Sequence, residues 1–154
     1  ATAASVRSGA YERTIAAMDS GVTVVSRACP LFVPLVENGR FRPGDSVIET
    51  VAREYLEPLR AEGIDTLILG CTHYPLLEDV IASVMGADVT LVDSGAQAAR
   101  QLKDSLTAHD ALCGQRQGGI TLYASDINGD FGALAPQFLR EAAPAVLEVD
   151  IDKY

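Results

Sequence analysis

Several residue types that would point to particular protein classes are scarce in this sequence. There is no tryptophan, and only three cysteines and two histidines occur among 154 residues. An odd number of widely spaced cysteines does not make a disulfide framework, and it favours a reducing compartment such as the cytoplasm. No apolar run approaches the roughly 20 residues of a membrane-spanning helix, and no signal-peptide pattern is found at the start. These features argue against a disulfide-stabilised secreted domain and against a membrane protein.

Basic residues are also few. The 12 lysines and arginines are outnumbered by 21 aspartates and glutamates, which gives a formal net charge of -9. The basic residues are scattered rather than clustered, so neither nucleic acid nor an anionic membrane surface is expected as a partner. The hydrophobic share is 48% in a chain of ordinary domain length, which predicts a globular fold with a sizeable core.

The most informative stretch is residues 66–75, where an apolar run ends in a thiol, a hydroxyl and an imidazole. Residues 66–69 lack polar alternation, which predicts a central parallel strand. Gly70 permits a sharp turn and a close backbone approach. Pro75 suits the first turn of a helix that Gly86 ends. Three polar side chains then lie at the carboxyl end of the strand, where open α/β sheets bind ligands: Cys71, Thr72 and His73.

The chemistry of Cys71 depends on its neighbours. A helix N-terminus carries about half a positive charge, which favours a thiolate and attracts a substrate carboxylate. A protonated imidazole on His73 would favour the thiolate further. The alternative interpretation is that Cys71 is a small buried hydrophobic residue and His73 a helix-capping side chain. The glycine before the turn and the proline after it favour a functional role.

The sequence Gly-Cys-Thr-His-Tyr-Pro-Leu at residues 70–76 resembles the second cysteine motif of the glutamate racemases. These enzymes of the cofactor-independent Asp/Glu racemase superfamily interconvert L- and D-glutamate. Three further segments are similar to that family and occur in the same order: Thr-Ala-Ala-Ser-Val-Arg-Ser-Gly-Ala-Tyr at 2–11, Ala-Cys-Pro-Leu-Phe-Val-Pro-Leu-Val-Glu at 28–37 and Val-Asp-Ser-Gly-Ala at 92–96. The resemblance extends from the first residue to about residue 105.

The resemblance implies an α/β fold with two similar lobes that close over the substrate. Residues 1–92 would form a parallel-sheet α/β/α lobe, and residues 93–154 an αβαβ segment that completes the other lobe. A first strand before Thr2, and the half-domain that carries the first cysteine motif, are expected outside this chain. The chain would then be a fragment that is inactive alone. Its expected partners are glutamate and the N-terminal lobe, without a metal or other cofactor; a homodimer stays open.

The resemblance also implies roles for individual side chains. Cys71 would exchange the α-proton on the L-glutamate face, with the upstream cysteine on the opposite face. His73 would polarise the thiol or the substrate, and Glu37 would support His73. Thr72 would hydrogen-bond the substrate carboxylate. From the residues alone, without the resemblance, Glu37 is predicted to be a solvated loop glutamate.

Two hydroxyl residues near the start of the chain are further candidates. Thr2 and Ser5 match the family's Gly-Thr-x-x-Thr loop, with Ala1 in place of the glycine, and could line the substrate pocket. Ordinary loop and N-cap residues are an equally good interpretation. Cys29 lies between Ala28 and Pro30 in an apolar run, which predicts a buried structural cysteine.

Periodicity predicts the remaining elements. Strands are expected at residues 22–25, 88–92, 120–124 and 146–149, and a helix at residues 132–140. Capping-box patterns place helix starts at Ser46 and Ser94. The first helix should bury Tyr55, and the second should present an apolar face formed by Ala98, Leu102 and Leu106.

Three other functions stay open at this point. An aspartate or hydantoin racemase of the same superfamily would use the same cysteine chemistry. A metal-binding or redox module would use Cys71 and His73, although two ligands are too few for a structural zinc site. A cysteine hydrolase would use the same two residue types, and trapping by an acyl electrophile would support it.

Overall fold

The computed structural model describes residues 1–114, 118–127, 131–139, 142 and 144–153. The chain forms two compact units, Ala1–Ser105 and Leu106–Tyr154. Each unit has helices and a two-stranded parallel sheet, which confirms the α/β fold class. A domain boundary after residue 92 stays a prediction.

The described residues form seven α-helices: α1 (Ala3–Ser8), α2 (Ala10–Met18), α3 (Phe32–Glu37), α4 (Ser46–Ala61), α5 (Glu78–Met85), α6 (Ser94–Ala108) and α7 (Phe131–Leu139). They also form four strands: β1 (Thr66–Ile68), β2 (Thr90–Val92), β3 (Leu122–Ala124) and β4 (Val146–Glu148). Short 3-10 helices occupy Tyr74–Leu77 and Ile151–Lys153. None of the helices in the described ranges is long and apolar enough to cross a membrane.

Both sheets are parallel. In the first unit, β1 pairs with β2 so that Thr66 lies opposite Thr90, and α5 makes the crossover between the two strands. In the second unit, β3 pairs with β4, with Leu122 opposite Val146. The predicted strands at all four of these places are confirmed. Within the described residues β1 is hydrogen-bonded to β2 alone, so its central position stays a prediction.

The core of the first unit is built mainly from one face of α4 and the helical segments packed on it. The buried residues of α4 recur at helical spacing: Ile48, Ala52, Tyr55, Leu56 and Leu59. The Phe32 ring lies edge-on to Tyr55 and to Tyr74, with ring centroids 5.5 and 5.2 Å apart. Such edge-on aromatic pairs add roughly 0.5–1.5 kcal/mol beyond their buried area. The prediction that Tyr55 is a core residue is confirmed.

The start of α4 differs from the sequence prediction by one residue. Asp45, not Ser46, is the N-cap, and its carboxylate accepts a hydrogen bond from the Val47 amide at 2.9 Å. Glu49 reaches back to the Gly44 amide, also at 2.9 Å. The reason is backbone conformation: Asp45 is extended, as an N-cap must be, whereas Ser46 is already helical.

One further prediction is wrong. Residues 22–25 are not a strand, because a strand needs a hydrogen-bonded neighbour along its length and this segment has one only past its carboxyl end, where Arg27 meets Ala1. The predicted helix α6 is confirmed, but none of its residues is buried, and Leu102 on the predicted apolar face is 60% exposed. Periodicity predicts a helix, but only a packing partner buries its face.

Candidate functional site

The chain reverses direction directly after β1, between Leu69 and Tyr74. The Cys71 amide donates to the Leu69 carbonyl at 2.9 Å, and the Tyr74 amide donates to the Cys71 carbonyl at 3.2 Å. A 3-10 helix follows at Tyr74–Leu77, with Pro75 in its first turn, and α5 begins only at Glu78. The turn therefore holds Cys71 at the carboxyl edge of the sheet, as the sequence predicts.

The expected α-helix N-terminus beside Cys71 is not there. Residues i and i+3 of a 3-10 helix lie on the same side, so this geometry lets Tyr74 and Leu77 both enter the core. The charge of a helix end acts mainly within its first turn. Because α5 begins seven residues after Cys71, its dipole contributes little at the thiol, and the imidazole is the important neighbour.

Gly70 makes the close approach that the sequence predicts. A Cβ at this position would lie 2.8 Å from the Ala1 Cβ and 3.2 Å from the Tyr11 hydroxyl oxygen. Distances below about 3 Å are impossible between carbon atoms that are not bonded, so a side chain at residue 70 would displace the first residues of the chain. The glycine thus brings the Cys71 turn against the segment that leads into Thr2.

The Cys71 turn and the end of α3 place three functional side chains in a row. The Cys71 Sγ lies 3.9 Å from the His73 Nδ1, and the His73 Nε2 lies 3.5 Å from the Glu37 Oε1. Glu37 is the last residue of α3, and the amide side chain of Asn38 bonds the Pro34 carbonyl at 2.7 Å to close that helix. The carboxylate lies next to Nε2, which favours the form of the imidazole that carries its hydrogen on that nitrogen.

This arrangement argues against a purely structural interpretation of the motif. His73 makes no side-chain capping bond to the 3-10 helix that follows it, and Cys71 is only half-buried. With the Nε2 hydrogen directed to Glu37, the Nδ1 atom is left to accept a proton from the thiol. The Thr72 hydroxyl lies 3.4 Å from the same Nδ1 and competes for it. Thiol, imidazole and carboxylate are thus arranged to move and hold one proton.

Thr2 and Ser5 lie in the neighbouring segment. Their hydroxyls are 2.9 Å apart, and the Thr2 hydroxyl accepts the Ser5 amide at 3.2 Å, so Thr2 is the N-cap of α1. The N-cap interpretation of Thr2 is therefore confirmed. Since Ala1 packs against Gly70, these hydroxyls are carried by the segment adjoining the Cys71 turn. Their contact with a substrate stays a prediction.

No sequence pattern predicts the contacts made around Cys29. The Tyr74 hydroxyl donates to the Cys29 carbonyl at 3.2 Å, and the Cys29 amide donates to the Ala1 carbonyl at 3.0 Å. Tyr74 directly follows His73, so these bonds tie the Cys71 turn to the first residues of the chain. The sequence does not predict the hydrogen bond of Tyr74, because the Cys29 carbonyl that accepts it is 45 residues away.

Cys29 itself is 3% exposed, which confirms the predicted buried cysteine. Burial raises the pKa of the Cys29 thiol, and the nearby Ala1 amine and Arg27 only partly oppose this. Burial likewise raises the pKa of the Tyr74 hydroxyl. In the parts of the chain that the structure describes, no three histidine, cysteine, aspartate or glutamate residues are grouped as metal ligands.

Residues 1–102 match the Asp/Glu/Hydantoin racemase family, which is two thirds of the chain. The chain belongs to this family. It is 39% identical over its full length to a glutamate racemase of Thermoanaerobacter sp. and 42% identical over 97% of its length to one of Desulforudis audaxviator. The crystal structure of glutamate racemase from Francisella tularensis in complex with D-glutamate superimposes on the whole chain with a TM-score of 0.86 at 33% identity. The chain spans 56–58% of the length of these relatives.

Proposed function

We propose that this chain is part of a glutamate racemase, an isomerase that interconverts L- and D-glutamate by proton transfer at Cα. The observation that carries the proposal is the row of Cys71, His73 and Glu37, with Sγ–Nδ1 and Nε2–Oε1 distances of 3.9 and 3.5 Å. It supplies a thiol, a group that accepts its proton and a carboxylate that orients that group. Family membership and the named relatives point to the same reaction.

The chemistry follows from the acidity of the substrate. The α-proton of an amino acid is a very weak acid, so its removal needs a positioned base and nearby donors that stabilise the developing negative charge. The Cys71 thiolate takes the proton, which breaks the Cα–H bond and forms an S–H bond. The imidazole of His73 holds the thiolate ready, and Glu37 keeps the imidazole oriented. Thr72 hydrogen-bonds the substrate carboxylate, and the Thr2 and Ser5 hydroxyls line the pocket.

Racemisation also requires a second acid on the opposite face of Cα. Neither of the other two cysteines is suited to this role from what the structure describes: Cys29 is buried with a raised pKa, and Cys113 is an exposed thiol in the second unit. The family resemblance implies that the second thiol belongs to the N-terminal lobe, and we expect this chain alone to exchange a proton without inverting the substrate. The three cysteines form no disulfide, which suits a reducing cytoplasm, where the D-glutamate formed would serve peptidoglycan synthesis.

The test compares the three thiols within one sample. Alkylation by iodoacetamide is followed at each cysteine by mass spectrometry, with the exposed Cys113 as the ordinary thiol and the buried Cys29 as the protected one. We expect Cys71 to react about ten-fold faster than Cys113 despite being half-buried. The variant His73→Ala should remove that advantage, because the thiol then loses the neighbouring group that accepts its proton. Glu37→Gln should remove a smaller part of it.

The matched control is His109→Ala, which removes the other histidine and should leave the rate at Cys71 unchanged. A Cys71 that reacts no faster than Cys113, or that is indifferent to His73, would refute the proposed base. Proton nuclear magnetic resonance in deuterated water then identifies the substrate: the α-proton of glutamate should exchange, without formation of the other enantiomer. Faster exchange of aspartate or of a hydantoin would assign the chain to another racemase of the family.

A further inference from the structure

The imidazole of His73 has two hydrogen-bond donors close to one of its nitrogens. The Thr72 hydroxyl oxygen lies 3.4 Å from Nδ1, and the Cys71 Sγ lies 3.9 Å from the same atom. When the neutral imidazole carries its hydrogen on Nε2, next to Glu37, Nδ1 is its only acceptor. The hydroxyl and the thiol therefore compete for a single lone pair.

The Thr72 hydroxyl has the advantage in this competition. It is the nearer of the two donors, and an S–H group is a weak hydrogen-bond donor compared with an O–H group. While the hydroxyl donates to Nδ1, the imidazole is a poorer base for the Cys71 thiol. Thr72 thus lowers, without abolishing, the fraction of thiolate that His73 maintains.

Thr72 is also the part of the motif that an incoming molecule reaches first. Its side chain is exposed, whereas Cys71 and His73 are half-buried and Tyr74 is buried. A hydrogen bond from a hydroxyl to a carboxylate is charge-assisted and roughly twice as strong as one between neutral groups. A carboxylate bound beside Thr72 therefore draws the hydroxyl away from the imidazole.

We propose that Thr72 is a positioning residue that couples binding of the substrate carboxylate to ionisation of Cys71. When the hydroxyl donates to the carboxylate, the Nδ1 lone pair becomes available to the thiol. The S–H bond then breaks, an N–H bond forms at Nδ1, and the products are a thiolate and an imidazolium beside the Glu37 carboxylate. The inference rests on the proposed function for the nature of the carboxylate, which is that of glutamate.

The coupling has a chemical benefit. Oxidation of a cysteine follows its thiolate character and its exposure, and the Cys71 side chain is partly exposed. A thiol that ionises most fully beside its substrate is less open to oxidation at other times. The same hydroxyl thus binds the substrate and reports its presence to the base.

Two further titratable groups act on Cys71 besides the imidazole and the Glu37 carboxylate. They are the Ala1 amine and the Tyr74 hydroxyl, which are both close enough to interact electrostatically with the thiol. Neither group makes its hydrogen bond to Thr72. Their effect on the thiol is therefore the same in variants of Thr72, and it cancels when those variants are compared.

The experiment compares Thr72→Val, which keeps the branched shape and removes the hydroxyl, with Thr72→Ser, which keeps the hydroxyl. Iodoacetamide labelling of the complete chain is followed at Cys71, with Cys113 as the internal reference. At pH 7 without glutamate, Thr72→Val should label about five-fold faster than the parent, whereas Thr72→Ser should stay within about two-fold of it. At pH 10 the three rates should converge, because hydroxide then ionises the thiol without help from the imidazole.

Convergence at high pH separates the proposal from a structural effect, since a more exposed Cys71 would label faster at every pH. Circular dichroism checks that both variants fold. Equal rates for Thr72→Val and Thr72→Ser at pH 7, or an advantage of Thr72→Val that is as large at pH 10, would overturn the proposal. These results would leave the proposed function standing, because that function is tested by the loss of His73 and not by the loss of Thr72.

A second measurement adds glutamate at pH 7 and follows the ultraviolet absorbance of the thiolate, with Cys71→Ala as the blank. The absorbance should rise about two-fold in the parent and should rise much less in Thr72→Val, where Nδ1 is already available. An equal rise in both, or no rise in the parent, would overturn the coupling. A parent chain that also fails to exchange the α-proton of glutamate would overturn the proposed function as well.

Discussion

Cys29 and Cys71 have the same side chain, but their surroundings differ strongly. Cys29 is buried in the same core cluster as Phe32, and its Sγ lies 3.8 Å from the Arg27 carbonyl, a weak S–H contact. Cys71 is half-buried, and its partner is an imidazole with a carboxylate behind it. Burial alone raises the pKa of Cys29, which makes it inert.

The comparison shows that a thiol becomes functional through what surrounds it. A cysteine in an apolar setting acts as a small hydrophobic residue, whereas one beside a base becomes a nucleophile or a proton carrier. The two settings are also connected, since Tyr74 belongs to the Cys71 turn and bonds the Cys29 carbonyl. Three experiments test this difference between the two cysteines.

The largest effect is expected from opening the core around Cys29. Phe32→Ala removes a fully buried ring that contacts both Tyr55 and Tyr74, and such truncations cost about 3–5 kcal/mol of unfolding free energy. The cavity should also expose Cys29, so that iodoacetamide labels it in the folded state. Urea denaturation measures the first effect and mass spectrometry the second.

Two further variants control this result. Val47→Ala truncates a residue that is 39% exposed and should change the free energy by less than about 0.5 kcal/mol. Phe32→Leu keeps most of the apolar volume and provides a folded protein if Phe32→Ala proves too unstable to study; it should show a smaller loss. A Phe32→Ala chain that is as stable as the parent, with Cys29 still protected, would contradict this account of the core.

The next effect is a dependence of stability on pH to which the buried Cys29 thiol contributes. Burial raises the pKa of the folded thiol above the ordinary value of 9.0. Stability from this group is therefore complete below pH 9 and is lost as the pH rises, because the unfolded chain releases the proton first. The free energy of unfolding should fall by up to about 1.4 kcal/mol per pH unit between pH 9 and 10.

Urea denaturation at pH 8, 9 and 10 measures this slope in the parent chain and in two alanine variants. Cys29→Ala should lose the Cys29 contribution, whereas Cys113→Ala, which removes an exposed thiol, should keep it. The window ends at pH 10 because the raised pKa of Tyr74 adds a loss of the same sign above that value. Identical slopes in the two variants would show that Cys29 is not the group responsible.

The parts of the site that the sequence predicts are those governed by neighbours along the chain. The apolar run of β1, the glycine turn after it and the core position of Tyr55 follow from local pattern and residue type. The pairing of Glu37 with His73 came from the family resemblance, since a glutamate after an apolar run has many other uses. The structure brings the two side chains together across 36 positions of sequence.

The parts that were predicted wrongly, or not at all, depend on distant partners. The pattern at residues 22–25 suits a strand, but strand formation requires a neighbour that no local pattern supplies. The face of α6 has helical spacing and stays exposed for the same kind of reason. The 3-10 geometry after His73 depends on the core into which Tyr74 and Leu77 pack. A local sequence pattern does not reveal that core.

The smallest effect, and the most discriminating, is expected from Tyr74→Phe. The variant keeps the ring that packs on Phe32 and removes only the hydroxyl that donates to the Cys29 carbonyl. Losing one buried hydrogen bond costs about 1 kcal/mol of unfolding free energy. Tyr123→Phe, which removes an exposed hydroxyl in the second unit, should cost almost nothing and is the matched control.

The labelling rates of Cys29 and Cys71 in Tyr74→Phe then show what the Tyr74 hydroxyl does. If its bond only secures the Cys29 segment, Tyr74→Phe should raise the labelling rate of Cys29 several-fold and leave that of Cys71 as it was. This is the result we expect, because the side chains next to Cys71 are His73 and, behind it, Glu37, and neither contact involves the Tyr74 hydroxyl. A change at Cys71 of the same size would contradict it, and would mean that the bond to Cys29 holds the catalytic turn in place. An equal loss of stability in both tyrosine variants would show that the hydroxyl makes no net contribution.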